Sequence, residues 1–177
     1  SKAAATGLYT AISTDTGSFQ YDSVTANTHR VIADLMDLGA AHYQVTQYVY
    51  QSRSKEKTEL LINTASNINY YFDEQVALVK TSLEDLKKTG ADSSDTEGII
   101  EFVRNIQVVE LAILLKEKKD GVKFSLRSKT SVDCTEIAEA FGGGGHIRAS
   151  GGFIESSLAE AEEQIIRQVN KVLSNHK

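Results

Sequence analysis

Apolar positions follow two different periods along this chain, and the change falls near Ser66. Before it, everything reads as helix. Residues 2–12 are small, alanine-rich and uncharged after Lys2, which predicts a buried helix ended by the turn at Gly17 in "STDTG". From Ser23, "SVTANTHRVIADLMDLGA" offers a hydroxyl N-cap, apolar Val31, Ile32, Leu35 and Leu38 at helical spacing, and Gly39 as a stop. Two further helices are expected, roughly over Tyr43 to Gln51 and Ser54 to Ala65. This first third is too small for an α/β core of its own.

Beyond Ser66 the apolar residues alternate. "INYYFDEQVALVKT" reads as a hairpin with Asp73 and Glu74 at its turn, and "SLEDLKKTG" as a capped helix ended by Gly90. Another helix starts in "SDTEGIIEFVRNI", with Ser94 or Asp95 as cap, and "VVELAILLKE" is an expected buried strand. Asp120 and Gly121 turn the chain into "VKFSLRS", a hairpin signal. The next helix is "SVDCTEIAEAF", with Ile137 and Phe141 on one face; the glycine run, a strand "GGFIES" and an amphipathic helix from Leu158 to about Ser174 complete the chain. Residues 67–177 thus predict a mixed sheet covered by helices, an α/β unit.

Composition narrows the function. The chain has 177 residues, 41% of them hydrophobic, and no apolar run approaches a membrane span of ~20 residues. It opens at Ser1 without a leader and reads as a chain joined midway, so export is not expected and a cytoplasmic setting is. Cys134 is alone, which excludes an intrachain disulfide and a cysteine zinc site. A net charge of −5 argues against sequence-blind binding of duplex DNA. Any phosphate must therefore be met locally, and basic residues dominate the segment from Lys116 to Lys129.

The candidate chemistry gathers in "FGGGGHIRASGGF", where six glycines surround His146 and Arg148. Glycines let backbone amides approach a ligand, so Gly143, Gly144 and Gly145 are candidates for an anion-binding nest. The spacing fits neither a dinucleotide-binding turn nor a nucleoside-triphosphate loop. His146 is a candidate phosphate donor or acid, with a carbonyl cap as the structural alternative; Arg148 is either a ligand contact or a surface charge. Along "VKFSLRS", Val122, Phe124 and Leu126 share one face and Lys123, Ser125 and Arg127 the other, where Arg127 could grip phosphate with two donors. Asp15 is a hard-oxygen donor at a turn, suited to magnesium or manganese, though turn chemistry alone also explains it. His29, His42 and His176 show no ligand spacing.

"LYTAISTDTGSF", "SLRS" and "FGGGGHIRASG", in that order, resemble the DHH phosphoesterase family with its associated C-terminal substrate-binding domain, and within it the nanoRNase and phosphoadenosine phosphate phosphatase branch. The GGGHxxAxG element falls on Gly143, Gly144, Gly145, His146, Ala149 and Gly151. The resemblance implies that residues 1–53 belong to the catalytic domain, that 54–66 form a connecting helix, and that 67–177 bind substrate. It also implies a manganese or magnesium ligand at Asp15, with Arg127, Ser128 and the glycine loop gripping short single-stranded RNA or a nucleotide. The family's H-x-x-x-D-x-D and D-H-H elements do not occur here. Asp15 alone cannot hold the ion pair that two-metal hydrolysis requires. The chain is therefore expected to bind rather than cut, a homodimer is left open, and the alternative is a nucleic-acid-binding module without catalysis.

Overall fold

The computed structural model describes residues 1–175 and divides into two compact units, Ser1–Arg53 and the part beginning at Ser54. His176 lies outside the described residues.

The first unit holds α1 (Lys2–Asp15), α2 (Ala26–Asp37) and α3 (His42–Tyr50). Thr25 caps α2 in a reciprocal box with Thr28, and Gly39 past its end takes a φ of +86°, a left-handed conformation that suits glycine. Ala5, Tyr9, Ile32, Leu35, Ala40 and Val45 form the core. The expectation that the first helix is buried needs correction. Only Ala5, Tyr9 and Ser13 are covered, because α2 and α3 shield one face; Leu8 is 57% exposed. Leu38 is also outside the core, since it forms the cap after the last turn of α2.

The second unit is a six-stranded sheet in the order β1-β2-β3-β4-β6-β5. Its strands are β1 (Asn69–Tyr71), β2 (Val76–Thr81), β3 (Leu111–Lys118), β4 (Gly121–Ser128), β5 (Gly144–His146) and β6 (Ala149–Ile154). Only β2 and β3 run parallel, so the sheet is mixed, as the alternation implied. The crossover between them carries α5 (Leu83–Thr89) and α6 (Ile99–Arg104). Ser82 and Asp85 cap α5 reciprocally, whereas α6 starts at Gly98, not at Ser94 or Asp95. The carboxylates of Asp92 and Asp95 accept local amides in the preceding turn instead, which makes them turn formers.

Each face of the sheet has its own apolar layer. On one, Val122, Phe124 and Leu126 pack with α7 (Cys134–Glu139) and α8 (Leu158–Asn175). Phe141 sits just past α7, yet its ring meets Phe124 at 5.5 Å between centroids. Glu162 of α8 ties that helix to the first hairpin, accepting from Asn69, Tyr71 and Lys80 at 2.6 to 2.9 Å. Burial, followed by the Glu162 carboxylate, pushes the Tyr71 phenol up to about 12. On the opposite face, Ala77, Val79, Ala112 and Leu114 pack with α6 and α4 (Lys55–Ala65). Leu60 of α4 is fully buried there, so the expected connecting helix is a packed layer of the second unit.

Candidate functional site

Helices α4 and α6 cover this second face over β2 and β3, while the β4, β6 and β5 side carries small or polar residues and the exposed Phe153. Pairing sets them in rows across the strands. Arg127, Ala149 and His146 share one row; Ser125, Gly151 and Gly144 the next; Lys116, Lys123 and Phe153 the third. Six sequence-derived candidates therefore occupy one surface.

A cleft of about 330 Å³ opens beside the first two rows, lined by Thr96, Gly98, Glu101, Lys116, Ser125 and Arg127. The Arg127 guanidinium donates to its neighbour's carbonyl, Leu126 O, at 3.0 Å, and its Nε lies 3.4 Å from Glu101 Oε1. Lys116 Nζ donates to Thr96 Oγ1 at 3.2 Å, and Lys118 Nζ to Ser93 Oγ at 2.5 Å. Burial, then the positive charges of Lys123, Lys118 and Arg127, hold the Lys116 ammonium below the usual lysine range. Glu97 and Glu101 line the same cleft, so its basic and acidic side chains are mixed.

The glycine run differs from the expected nest. Gly142, at φ +67°, closes α7, and the amides of Gly142 and Gly143 donate to Glu139 O and Ala138 O at 3.0 and 2.9 Å. Those amides are engaged by a helix C-terminus, the negative end of its dipole, and do not form an anion cradle. Gly144 to His146 then form edge strand β5. A Cβ on Gly143 would stand 2.4 Å from Gly151 O, so close backbone approach explains that glycine. A Cβ on Gly144 would meet nothing within 4 Å, so no packing contact requires glycine there.

Two further expectations change. Ser128 lies on the Leu126 side of β4, buried and without a hydrogen bond of normal geometry, beside only the weak sulfur partner Cys134. A grip on substrate needs its hydroxyl on the Arg127 side. Arg148 braces a loop, donating to Val132 O at 2.9 Å. Cys134 is fully buried, and burial pushes its thiol up, as befits a small core residue. The roles of Glu101 and Thr96 escaped sequence reasoning, because only the tertiary packing of α6 and its leading turn sets them against β3 and β4.

Asp15 is exposed at the last position of α1, in the first unit. His29 and His42 pack against the rings of Phe19 and Tyr9. Among the described residues, no three His, Cys, Asp or Glu side chains converge. One carboxylate does not make a metal centre, so these residues alone do not fit a manganese or magnesium pair.

A family model described as the DHHA1 domain matches residues 73–175, which is most of the second unit. The chain belongs to the DHHA1 domain family. As a DHHA1 protein it is 31% identical over 171 residues to the bifunctional oligoribonuclease and PAP phosphatase NrnA of Thermus thermophilus, covering 96% of this chain and 51% of that protein. It is also 31% identical over 161 residues to the probable bifunctional oligoribonuclease and PAP phosphatase NrnA of Streptococcus mutans, covering 88% and 49%. The chain spans about half the length of these curated relatives. In structure it matches an exopolyphosphatase-related protein from Bacteroides fragilis with a TM-score of 0.92 and 31% identity, over 97% of this chain and 51% of that one. These relatives agree with the resemblance to DHH-type phosphoesterases read from the motifs. No helix among the described residues is long and apolar enough to cross a membrane.

Proposed function

We propose that this chain supplies the substrate-gripping part of a DHH-type phosphoesterase that hydrolyses short RNA oligonucleotides or phosphoadenosine phosphate. The observation that carries this reading is the shared surface of Arg127, Ser125, Gly144 and His146 beside a cleft into which Arg127 and Lys116 reach. Arg127 and Ser125 bind a phosphate of the nucleotide, and the bare backbone at Gly144 and Gly151 lets the ligand lie against the sheet. His146, exposed at the end of β5, contacts the ligand and can hold or deliver a proton. Fixing the substrate in this way supplies the positioning on which phosphoryl-transfer rates depend. Residues 1–53 contribute to the catalytic domain in a cytoplasmic enzyme. A manganese or magnesium centre there would take one ligand from Asp15 and the rest from outside the described residues.

Calorimetric titration with adenosine monophosphate or a short oligoadenylate at fixed salt tests the grip. Arg127→Ala should weaken binding by ~1.5 to 3 kcal/mol, the worth of a charged hydrogen bond. An unchanged Kd rejects the assignment. With manganese added, this chain alone should bind the ligand and leave it intact; turnover would show that its own residues complete a catalytic centre.

A further inference from the structure

The rows across β4 and β6 run from Arg127 and Ala149 at one end to Lys123 and Phe153 at the other. Phe153 pairs directly with Lys123, so it stands on the face of Ser125 and Arg127; Phe124, the phenylalanine of β4, is buried on the opposite face. Ser125 faces Gly151 across the strands, which makes Phe153, two residues further along β6, its diagonal neighbour at ~7 to 8 Å. Gly151 has no side chain to stand between them.

A single exposed apolar side chain needs no ligand to explain it. What distinguishes Phe153 is its support. A Cβ added to Gly121, at the β3–β4 turn, would stand 2.9 Å from Phe153 Cζ, so the ring leans over bare backbone on that side. The residue nevertheless remains 41% exposed. Its ring is braced from one side and open from the other, which is what a stacking platform requires. We propose that Phe153 is the base-stacking residue of this surface: with a nucleotide's phosphate at Arg127 and Ser125, the ribose crosses Gly151 and the base lies on the ring. This rests on the reading of Arg127 and Ser125 as phosphate ligands. Stacking does not depend on the hydrogen-bonding edge of the base, because every base has a π-face, so the platform accepts short RNA of any sequence. An inorganic phosphate chain has no ring to stack. Phe153 therefore sets the preference of this surface for nucleotides over inorganic polyphosphate.

Calorimetry on the chain at fixed salt, with ribose 5-phosphate and adenosine 5′-monophosphate as probes, isolates the base, since the two probes share the sugar phosphate. Wild type should bind the nucleotide at least about five-fold more tightly, the lower end for one stacked base. Phe153→Leu keeps an apolar cover over Gly121 and removes the π-face, so that margin should fall to within about two-fold while ribose 5-phosphate affinity holds. Phe153→Trp gives a second readout that does not depend on the leucine variant folding. The chain has no tryptophan, so the new indole is the sole one; the nucleotide should quench its fluorescence and ribose 5-phosphate should not. A margin that survives in Phe153→Leu, equal weakening of both probes, or saturating nucleotide that leaves the indole unquenched overturns the proposal. Arg127→Ala tests the underlying reading separately, and should weaken both probes alike. If wild type binds both probes equally, the stacking role falls and the phosphate site stands; if it binds neither, both readings fall.

Discussion

Arg127 Nε stands 3.4 Å from Glu101 Oε1, joining β4 to α6 inside the cleft that both residues line. Each side chain is about one-third exposed, so the pair stabilises the fold by less than ~1 kcal/mol. On the proposed reading its main effect is competition, because the Glu101 carboxylate meets Nε where a phosphate would approach. Glu101→Gln should leave the melting temperature nearly unchanged and tighten nucleotide binding up to about five-fold, the equivalent of ~1 kcal/mol. Weaker binding in calorimetry would show that Glu101 instead holds the guanidinium in place.

Gly143 and Gly144 are adjacent and should respond oppositely to alanine. At Gly143 the new methyl would stand 2.4 Å from Gly151 O, and forcing the strands apart should cost about 1 to 3 kcal/mol in a urea melt. At Gly144 the methyl has open space, so stability should change by less than ~0.5 kcal/mol while nucleotide affinity falls. Equal affinity for Gly144→Ala and wild type would mean the ligand does not rest on β5.

Ser128→Ala removes a buried hydroxyl that has no hydrogen bond of normal geometry. Stability should hold or rise, since burying an unsatisfied polar group is unfavourable. Nucleotide affinity should not move. A weaker titration with an unchanged melt would return Ser128 to the binding surface.

Glu110 accepts from the amides of Thr130, Ser131 and Val132 at 2.6 to 3.2 Å and from the Thr130 hydroxyl at 3.1 Å. Burial pushes this carboxyl up, but the backbone donors outweigh burial and hold it below the usual range. A depressed folded value stabilises the protein above the unfolded value of 4.5 and loses that contribution as pH falls through the folded one. Urea midpoints measured downward from neutral pH should therefore drop below about 4.5, and Glu110→Gln should be less stable at neutral pH with a shallower acid decline. A parallel decline in the variant would assign the acid sensitivity to other carboxylates.

The sequence was most legible where local chemistry determines the element. Ser82 and Gly90 bracket α5, and Asp120 and Gly121 mark the β3–β4 turn, because caps and tight turns depend on near neighbours. The alternation in β4 placed Ser125 and Arg127 on one face, and the sheet keeps them there. Strand β5 was not legible: a run of glycines has no hydrophobic period, and only pairing with β6 makes it a strand. The alternation in β4 also puts Ser128 on the Leu126 side, and only the family resemblance had set it among the ligand contacts. The ion pair of Arg127 with Glu101 depends on how α6 lies across β3 and β4, which no local pattern encodes.

Because Ser125, Arg127, Gly151 and Gly144 sit on paired strands, their positions are set when the sheet forms, before any ligand arrives. On the proposed reading little backbone remains to be ordered on binding, so the entropic penalty falls chiefly on the long side chain of Arg127. Association should then be a fast, single-phase encounter limited by diffusion and steered by charge, and selectivity among nucleotides should reside in how quickly each one leaves.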